Sequence, residues 1–262
     1  MISSVHNPRI KDAARLKHKR ERQSSGLTLI DGAREIAYAL KAGIALTGVF
    51  RCPEFLNRPA AESVESQIKQ HNIPVFDVSR PVFAKLSFGQ RREGLVAVGR
   101  TPSCRWETVN HKSGLLVVVE KVEKPGNLGA ILRSCDAAGI DAVLVADPLT
   151  DLFNPNVIRA SIGTVFHVPT VVADGKEIRT YLKNNKIRLI AATPHAGKDY
   201  TAVSYAPPTA ILVGNEDCGL SPGWLEQADI RVRIPMRGIA DSLNVSVTAA
   251  VLLFEAVRQR RR

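Results

Sequence analysis

The sequence predicts an α/β protein built as two domains, on three observations. Between Leu27 and Gly99, short apolar runs alternate with helical stretches. From Leu115 onward the strand-like runs are apolar at nearly every position, the mark of parallel strands covered on both faces. Between these regions, residues 101–110 carry Pro102, Ser103 and few large apolar side chains, and read as a linker. The expected boundaries are a smaller N-terminal domain at 1–100, a linker at 101–112 and a larger C-terminal domain at 113–262.

Taken in order, Asn7 before Pro8 is a helix start, with Ile10, Ala13, Ala14 and Leu16 as a narrow apolar face. Beside that face run Arg9, Lys11, Arg15, Lys17, Lys19, Arg20 and Arg22, so a basic helix is expected at the entrance. After Gly26 the pattern gives a strand at 27–30, a helix at 33–42, a strand at 47–51 and a helix at 60–71. A strand at 75–78, a short helix at 81–86 and a strand at 95–99 complete the first domain. In the second, strands are expected at 115–119, 142–146, 187–192, 210–213 and 230–234, with helical segments between them. The last helix, about 243–260, is apolar around much of its circumference through Val245, Val247, Ala249, Ala250, Val251, Leu252, Leu253, Phe254 and Val257. One face meets the sheet, and the other needs a partner.

Charge layout narrows the function. The chain of 262 residues carries a net charge of +11, but residues 1–105 hold +9 and residues 106–257 hold −2, with Arg258, Arg260, Arg261 and Arg262 adding +4. A basic first domain joined to a neutral second one is expected where one part attracts a polyanion and the other does chemistry. The longest wholly apolar stretch, 249–254, is far short of the roughly 20 residues a membrane helix needs. No leader sequence is evident in residues 1–25, so a cytoplasmic location is expected. Cys52, Cys104, Cys135 and Cys218 form no CxxC pair, and the six histidines form no HExxH, so no metal is expected.

No GxGxxG follows a strand, which leaves a conventional dinucleotide site unsupported. Residues 94–101, GLVAVGRT, approach a phosphate-loop pattern but look like a strand followed by Pro102. Three other segments carry the signal. PGNLGAILRSCDAAG (125–139) turns from a strand into a helix, with Asn127 at its start and Arg133 in its second turn. ILVGNEDCGLS (211–221) is a buried strand ending in Gly-Asn-Glu. RIPMRGIADSLNVSV (233–247) is a strand passing through a loop into the Ser-Leu-Asn start of the last helix. Singly each could be scaffold; their combination and order are specific.

In these three segments the sequence resembles the SpoU (TrmH-like) branch of the SPOUT RNA methyltransferases, which methylate ribose 2′-oxygens. The first domain is similar to the L30e-like substrate-binding domain often attached to that family, through LTLIDGAREIAYAL at 27–40, although Asp31 stands where glutamate is commoner. Lys124 before Pro125, where an acid is usual, and Asp217 after Glu216, where glycine is usual, are further departures. The resemblance implies a SPOUT domain whose parallel sheet ends in a deep trefoil knot, a rare exception to unknotted topology. It implies S-adenosylmethionine held by Ala192, Thr193, Gly214, Asn215, Glu216, Ile234, Pro235, Met236, Ser242 and Leu243. It also implies Asn127, Arg133, Glu216, Ser242 and Asn244 as the catalytic set, with Arg133 on a substrate phosphate. A homodimer through the last helix and an RNA substrate, ribosomal before transfer RNA, complete the expectation. The competing reading is a non-catalytic RNA-binding protein with a degenerate methyltransferase domain.

Overall fold

The structure, a computed structural model, describes residues 1–56, 59–88, 93–103, 105–110 and 114–260. Cys104, Arg261 and Arg262 lie outside the described residues. The chain forms two compact units: Met1–Ser103 with Asp151–His167, and Cys104–Thr150 with Val168–Arg262.

The first unit contains α1 (Pro8–Arg15), α2 (Lys19–Ser25), β1 (Leu27–Asp31), α3 (Ala33–Lys41), β2 (Leu46–Arg51), α4 (Pro59–Gln70), β3 (Val75–Asp77), α5 (Arg80–Leu86) and β4 (Leu95–Arg100). Its sheet runs β1-β4-β2-β3, with β4 antiparallel to both neighbours and β2 parallel to β3. The near phosphate loop of the sequence is thus strand β4. Asn7 caps α1 by accepting the Arg9 amide at 3.0 Å. The apolar face of α1, Ile10, Ala13 and Leu16, packs with Leu29, Phe50, Val82, Phe83 and Val96.

Two of the expected surface cations are otherwise engaged. Arg22 is buried, donates to the carbonyls of Leu16 and Lys17, and pairs with Asp151 at 2.6 Å. Lys17 donates to the Ser87 carbonyl at 3.0 Å and stands over the Phe88 ring. A buried guanidinium stays only where its donors are satisfied, so the free basic surface is narrower than the residue count suggests.

Residues 151–167, placed by the sequence in the second domain, belong to the first unit. They carry a further helix, α7 (Pro155–Ala160), which packs on β1, and the Thr28 hydroxyl donates to the Phe153 carbonyl at 2.8 Å. Their apolar side chains, Leu152, Phe153, Val157 and Ile158, are buried, which local pattern alone does not assign to a particular core.

The second unit contains β5 (Leu115–Glu120), α6 (Pro125–Ala138), β6 (Ala142–Ala146), β7 (Thr170–Ala173), α8 (Gly175–Asn184), β8 (Arg188–Ala192), β9 (Lys198–Asp199), β10 (Thr209–Val213), α9 (Pro222–Gln227), β11 (Ile230–Arg233) and α10 (Val245–Arg260). Every described pairing in its seven-stranded sheet, ordered β7-β6-β5-β10-β8-β11-β9, is parallel. The sequence misses the two edge strands. β7 has Val172 exposed and β9 is two polar residues, so neither shows the continuous apolar run that buried strands require. The core joins Leu116, Val118, Leu144, Leu189 and Leu212 of the sheet to Ile178 and Leu182 of α8 and to Trp224. Among the described residues no helix is long and apolar enough to cross a membrane.

In the first unit, the Asp31 carboxylate accepts the Phe88 amide at 2.6 Å and lies 3.7 Å from Arg159. Burial pushes its pKa up to about 6, and Glu93 adds to the rise, while the Phe88 amide, Arg159 and Lys17 oppose it. A carboxyl whose pKa rises on folding lends stability below its unfolded value, near 4, and loses it as pH climbs through about 6. Asp31→Asn therefore raises stability at pH 8 by about 1–3 kcal/mol, and the gain vanishes near pH 4. Thermal melts of both proteins across this range check it; a variant less stable at pH 8 would contradict the assignment.

Candidate active site

The central strands β5, β10, β8 and β11 are consecutive neighbours, so the loops after their carboxyl ends converge at one edge of the sheet. Ligands of open parallel sheets bind at such crevices. Here the crevice is a pocket of about 570 Å³. Ala192 and Thr193 border it at the end of β8, Gly214, Asn215 and Glu216 after β10, Ile234 and Met236 after β11, and Ser242, Leu243 and Asn244 before α10. All but one of the residues expected to hold a cofactor are therefore brought together. Pro235, between Ile234 and Met236, is not among those lining the pocket.

Each loop has a local cause. Gly214 is required because a Cβ there would stand 2.5 Å from the backbone of Gly219. A larger residue would therefore open the loop itself before it obstructed the pocket. Asn215 and Gly219 exchange backbone hydrogen bonds at 3.0 and 3.1 Å, and Gly219 closes the turn at φ +69°. The Asn215 side chain accepts the amides of Asp217 and Cys218 and donates to the Lys121 carbonyl, tying this loop to the end of β5. Asn244 caps α10 through its oxygen, which accepts from the Ser246 amide at 2.9 Å and the Ser246 hydroxyl at 2.6 Å.

Three of the five expected catalytic residues form one chain of hydrogen bonds. The Asn244 amide nitrogen donates to the Asn127 side-chain oxygen at 3.1 Å, and the Asn127 nitrogen donates to Glu216 Oε1 at 2.7 Å. Glu216 also faces the amides of Lys124 at 3.3 Å and Glu123 at 3.4 Å. Burial pushes the Glu216 carboxyl up, but the bonds from Asn127, its own amide, Lys124 and Glu123 outweigh this and hold it below the ordinary range. It is thus an ionised anchor rather than a proton acceptor. Ser242 lines the pocket close by, with its hydroxyl 3.3 Å from Asp241.

Arg133 is not brought into this chain. Six residues beyond Asn127, it lies roughly 9 Å further along α6 and is exposed, and it does not line the pocket. It falls in the third turn instead of the second because the helix already begins at Pro125. Among the described residues its guanidinium has no hydrogen bond or ion pair. The sequence also misses Glu120, a buried carboxylate that accepts the Ser221 amide at 2.9 Å and so fastens the far end of the β10 loop. The signal for it was an acid ending an otherwise apolar strand, LLVVVE. Lys124, His195, Thr248 and Leu252 line the pocket as well. Among the described residues no cluster of three or more His, Cys, Asp or Glu could hold a metal.

This fold and pocket define a class: a parallel-sheet domain with a ligand crevice formed by three ordered sequence segments. Residues 114–254 match the SpoU rRNA Methylase family, and residues 7–97 match the MRM3-like substrate binding domain. The chain belongs to the SpoU rRNA methylase family. It is 30% identical to the 23S rRNA (uridine(2479)-2′-O)-methyltransferase of Streptomyces viridochromogenes, over 94% of this chain and 88% of that one. It is 29% identical to the 23S rRNA (guanosine(2553)-2′-O)-methyltransferase RlmP of Bacillus subtilis, over 97% of each. Among solved structures, an RNA 2′-O ribose methyltransferase superposes with a TM-score of 0.90 at 46% identity, covering 100% of this chain and 99% of that one. The S. viridochromogenes SpoU methyltransferase AviRb, crystallised with AdoMet, superposes at 0.89 with 27% identity, covering 98% and 99%.

Asn127→Ala removes the donor that most favours the Glu216 carboxylate and releases the exposed Asn244 amide to water. The sign follows from the depressed pKa: the anchor is intact above the ordinary carboxylate range and lost as pH falls through the folded value. Without Asn127 that loss moves to higher pH. S-Adenosylmethionine affinity, titrated calorimetrically against pH, should collapse at a higher pH in the variant; superimposable profiles would show that the chain of bonds does not support the pocket.

Proposed function

We propose that the protein transfers a methyl group from S-adenosylmethionine to the 2′-hydroxyl of a ribose in RNA, with ribosomal RNA as substrate, and works as a homodimer through α10. The observation that carries the reading is the single pocket made by Ala192–Thr193, Gly214–Glu216, Ile234 and Ser242–Asn244, with its loops fastened together by Asn127, Glu216 and Asn244. The residues fit the cofactor. Largely uncharged segments from three loops surround the space, and a carboxylate already committed to amide donors stands at its edge.

When bound, the cofactor supplies an electrophilic methyl group on a sulfonium. What remains for the chain is to hold the ribose oxygen in line and to favour loss of its proton. Asn127 and Asn244 have fixed orientations, because one oxygen and one nitrogen of Asn127 are each committed. Glu216, ionised and engaged, holds the loops together at the edge of the site. Arg133 is assigned the substrate side. Its exposed, unpaired guanidinium can clamp a phosphate with two parallel bonds and stabilise the charge that develops on the 2′-oxygen. Because arginine stays protonated in proteins, this is electrostatic activation and not base action.

Support for the dimer comes from α10. Val245, Ala249, Leu252 and Leu253 are buried, whereas Val247 and Phe254 are 46% and 49% exposed, with Val251 half-buried between them. Positions 247, 251 and 254 share one helix face. Because these side chains are already about half covered, burying the rest in a second copy stabilises the dimer by roughly 1 kcal/mol each, about half the value for a fully exposed side chain.

Two experiments test these assignments. Arg133→Ala and Arg133→Lys should both lose most methyl transfer to ribosomal RNA under single-turnover conditions, while S-adenosylmethionine affinity and melting temperature stay near wild type. Near wild-type transfer by Arg133→Ala would remove the residue from the mechanism. Phe254→Asp should shift the protein from dimer to monomer in sedimentation at micromolar concentration, and a wild-type protein already monomeric there would end the dimer assignment.

A further inference from the structure

The second unit carries a basic groove away from the methyl-transfer pocket. The stretch from 106 to 257, which holds most of that unit, has a net charge of −2, so a concentration of cations there is not a by-product of general basicity. Along α8, Lys176, Arg179 and Lys183 recur at spacings of three and four, and Lys186 follows three residues after Lys183. Lys176, Arg179 and Lys183 form one helical stripe beside the face that buries Ile178 and Leu182, and Lys186 extends it just past the helix end. All four cations line a groove of about 780 Å³ that also touches Arg188, Gln227 and Asp229.

The charges on this stripe are available. Lys176, Lys183 and Lys186 are exposed, and among the described residues their ammonium groups meet no carboxylate. Arg179 is steadied over the Trp224 ring, 4.9 Å from its centroid. The neighbouring acids are committed elsewhere. Glu177 accepts from the Trp106 indole at 2.7 Å, Asp174 caps α8 through the Glu177 amide, and Asp229 accepts the Leu189 amide at 2.7 Å.

A second observation concerns the end of the stripe. Lys186 closes the α8 turn at φ +53°, a left-handed conformation in which glycine is the unstrained choice. Its amide bonds to the Lys183 carbonyl, and Ile187 bonds back to Leu182. This turn sets the exposed Lys186 at the end of the stripe, where it lines the same groove as the three cations of α8.

We infer that this stripe is a second RNA-contact surface, one that the catalytic unit itself supplies for the phosphate backbone. The inference rests on the proposed function and extends it to a named surface. Ten residues of α8 span roughly 15 Å, enough to face several successive phosphates of one strand. The groove favours a nucleic-acid strand over a membrane surface, because it is concave and the apolar side chains beneath the stripe, Leu182 and Ile187, are buried and unable to insert.

The test combines Lys176→Gln, Lys183→Gln and Lys186→Gly in the full-length protein. Binding of a fluorescently labelled single-stranded oligoribonucleotide and of deproteinised ribosomal RNA would be followed across a salt series. With three cations no longer neutralising phosphates, the slope of log affinity against log salt should become shallower by about 2. S-Adenosylmethionine affinity should persist. Lys186→Gly alone should weaken RNA binding yet raise the melting temperature, which separates a contact role from a structural one. An unchanged slope in the triple variant would overturn this inference alone. Wild-type protein that neither binds RNA nor methylates it would overturn the proposed function together with it. Loss of affinity for anionic phospholipid vesicles with RNA binding intact would reassign the surface to a membrane.

Discussion

The carboxylate of Glu216 is the constraint on which the active region depends. It gathers the side chain of Asn127 and the amides of Glu123 and Lys124 at one point, and through Asn127 it reaches Asn244. These groups belong to the loop after β5 with the start of α6, the loop after β10 and the start of α10, three regions far apart in sequence. A carboxylate paired with several donors remains ionised at partial burial and resists separation from any of them. The pocket is therefore shaped by polar cross-links at its rim as much as by the apolar sheet beneath it.

The sheet supplies the platform for that arrangement. Strand β10 pairs in register with β5 on one side and β8 on the other, through residues that are all buried. Such a strand tolerates few polar groups along its length, so the chemistry is displaced to its carboxyl end, where the chain leaves the core at Gly214. Gly214 and Gly219 then allow the backbone to fold back on itself closely enough for Asn215 to bond across the turn. Glu120 secures the other end of the same loop from the adjacent strand. Rigid elements thus hold the groups that bind, and loops present them.

Charge is distributed on a different scale from these contacts. Residues 1–105 account for most of the excess positive charge, yet Arg22 and Lys17 are engaged inside their own unit. Conversely, the nearly neutral second unit gathers unpaired lysines on one face of α8. Net charge counts residues, whereas a polyanion meets only those whose cationic heads are exposed and unpaired. The difference between the two is visible only in the folded chain.

The sequence by itself determined the fold class, the five central strands of the second sheet and the three loops that border the pocket. Each has a local cause: continuous apolar runs, a capping asparagine, a glycine at a turn. It could not place the edge strands β7 and β9, because their outward residues need not be apolar, nor assign 151–167 to the first unit, because buried side chains do not announce which core receives them. It named Asn127, Glu216 and Asn244 but not their bonds to one another, and it set Arg133 beside them although helix geometry carries that residue along α6 and out to solvent. Strand and helix type follow from interactions within a few residues, whereas bond partners and exposure are set by segments some 90 to 120 residues apart, as the Asn127–Glu216 and Asn127–Asn244 bonds show. Only the tertiary structure brings those segments within hydrogen-bonding distance.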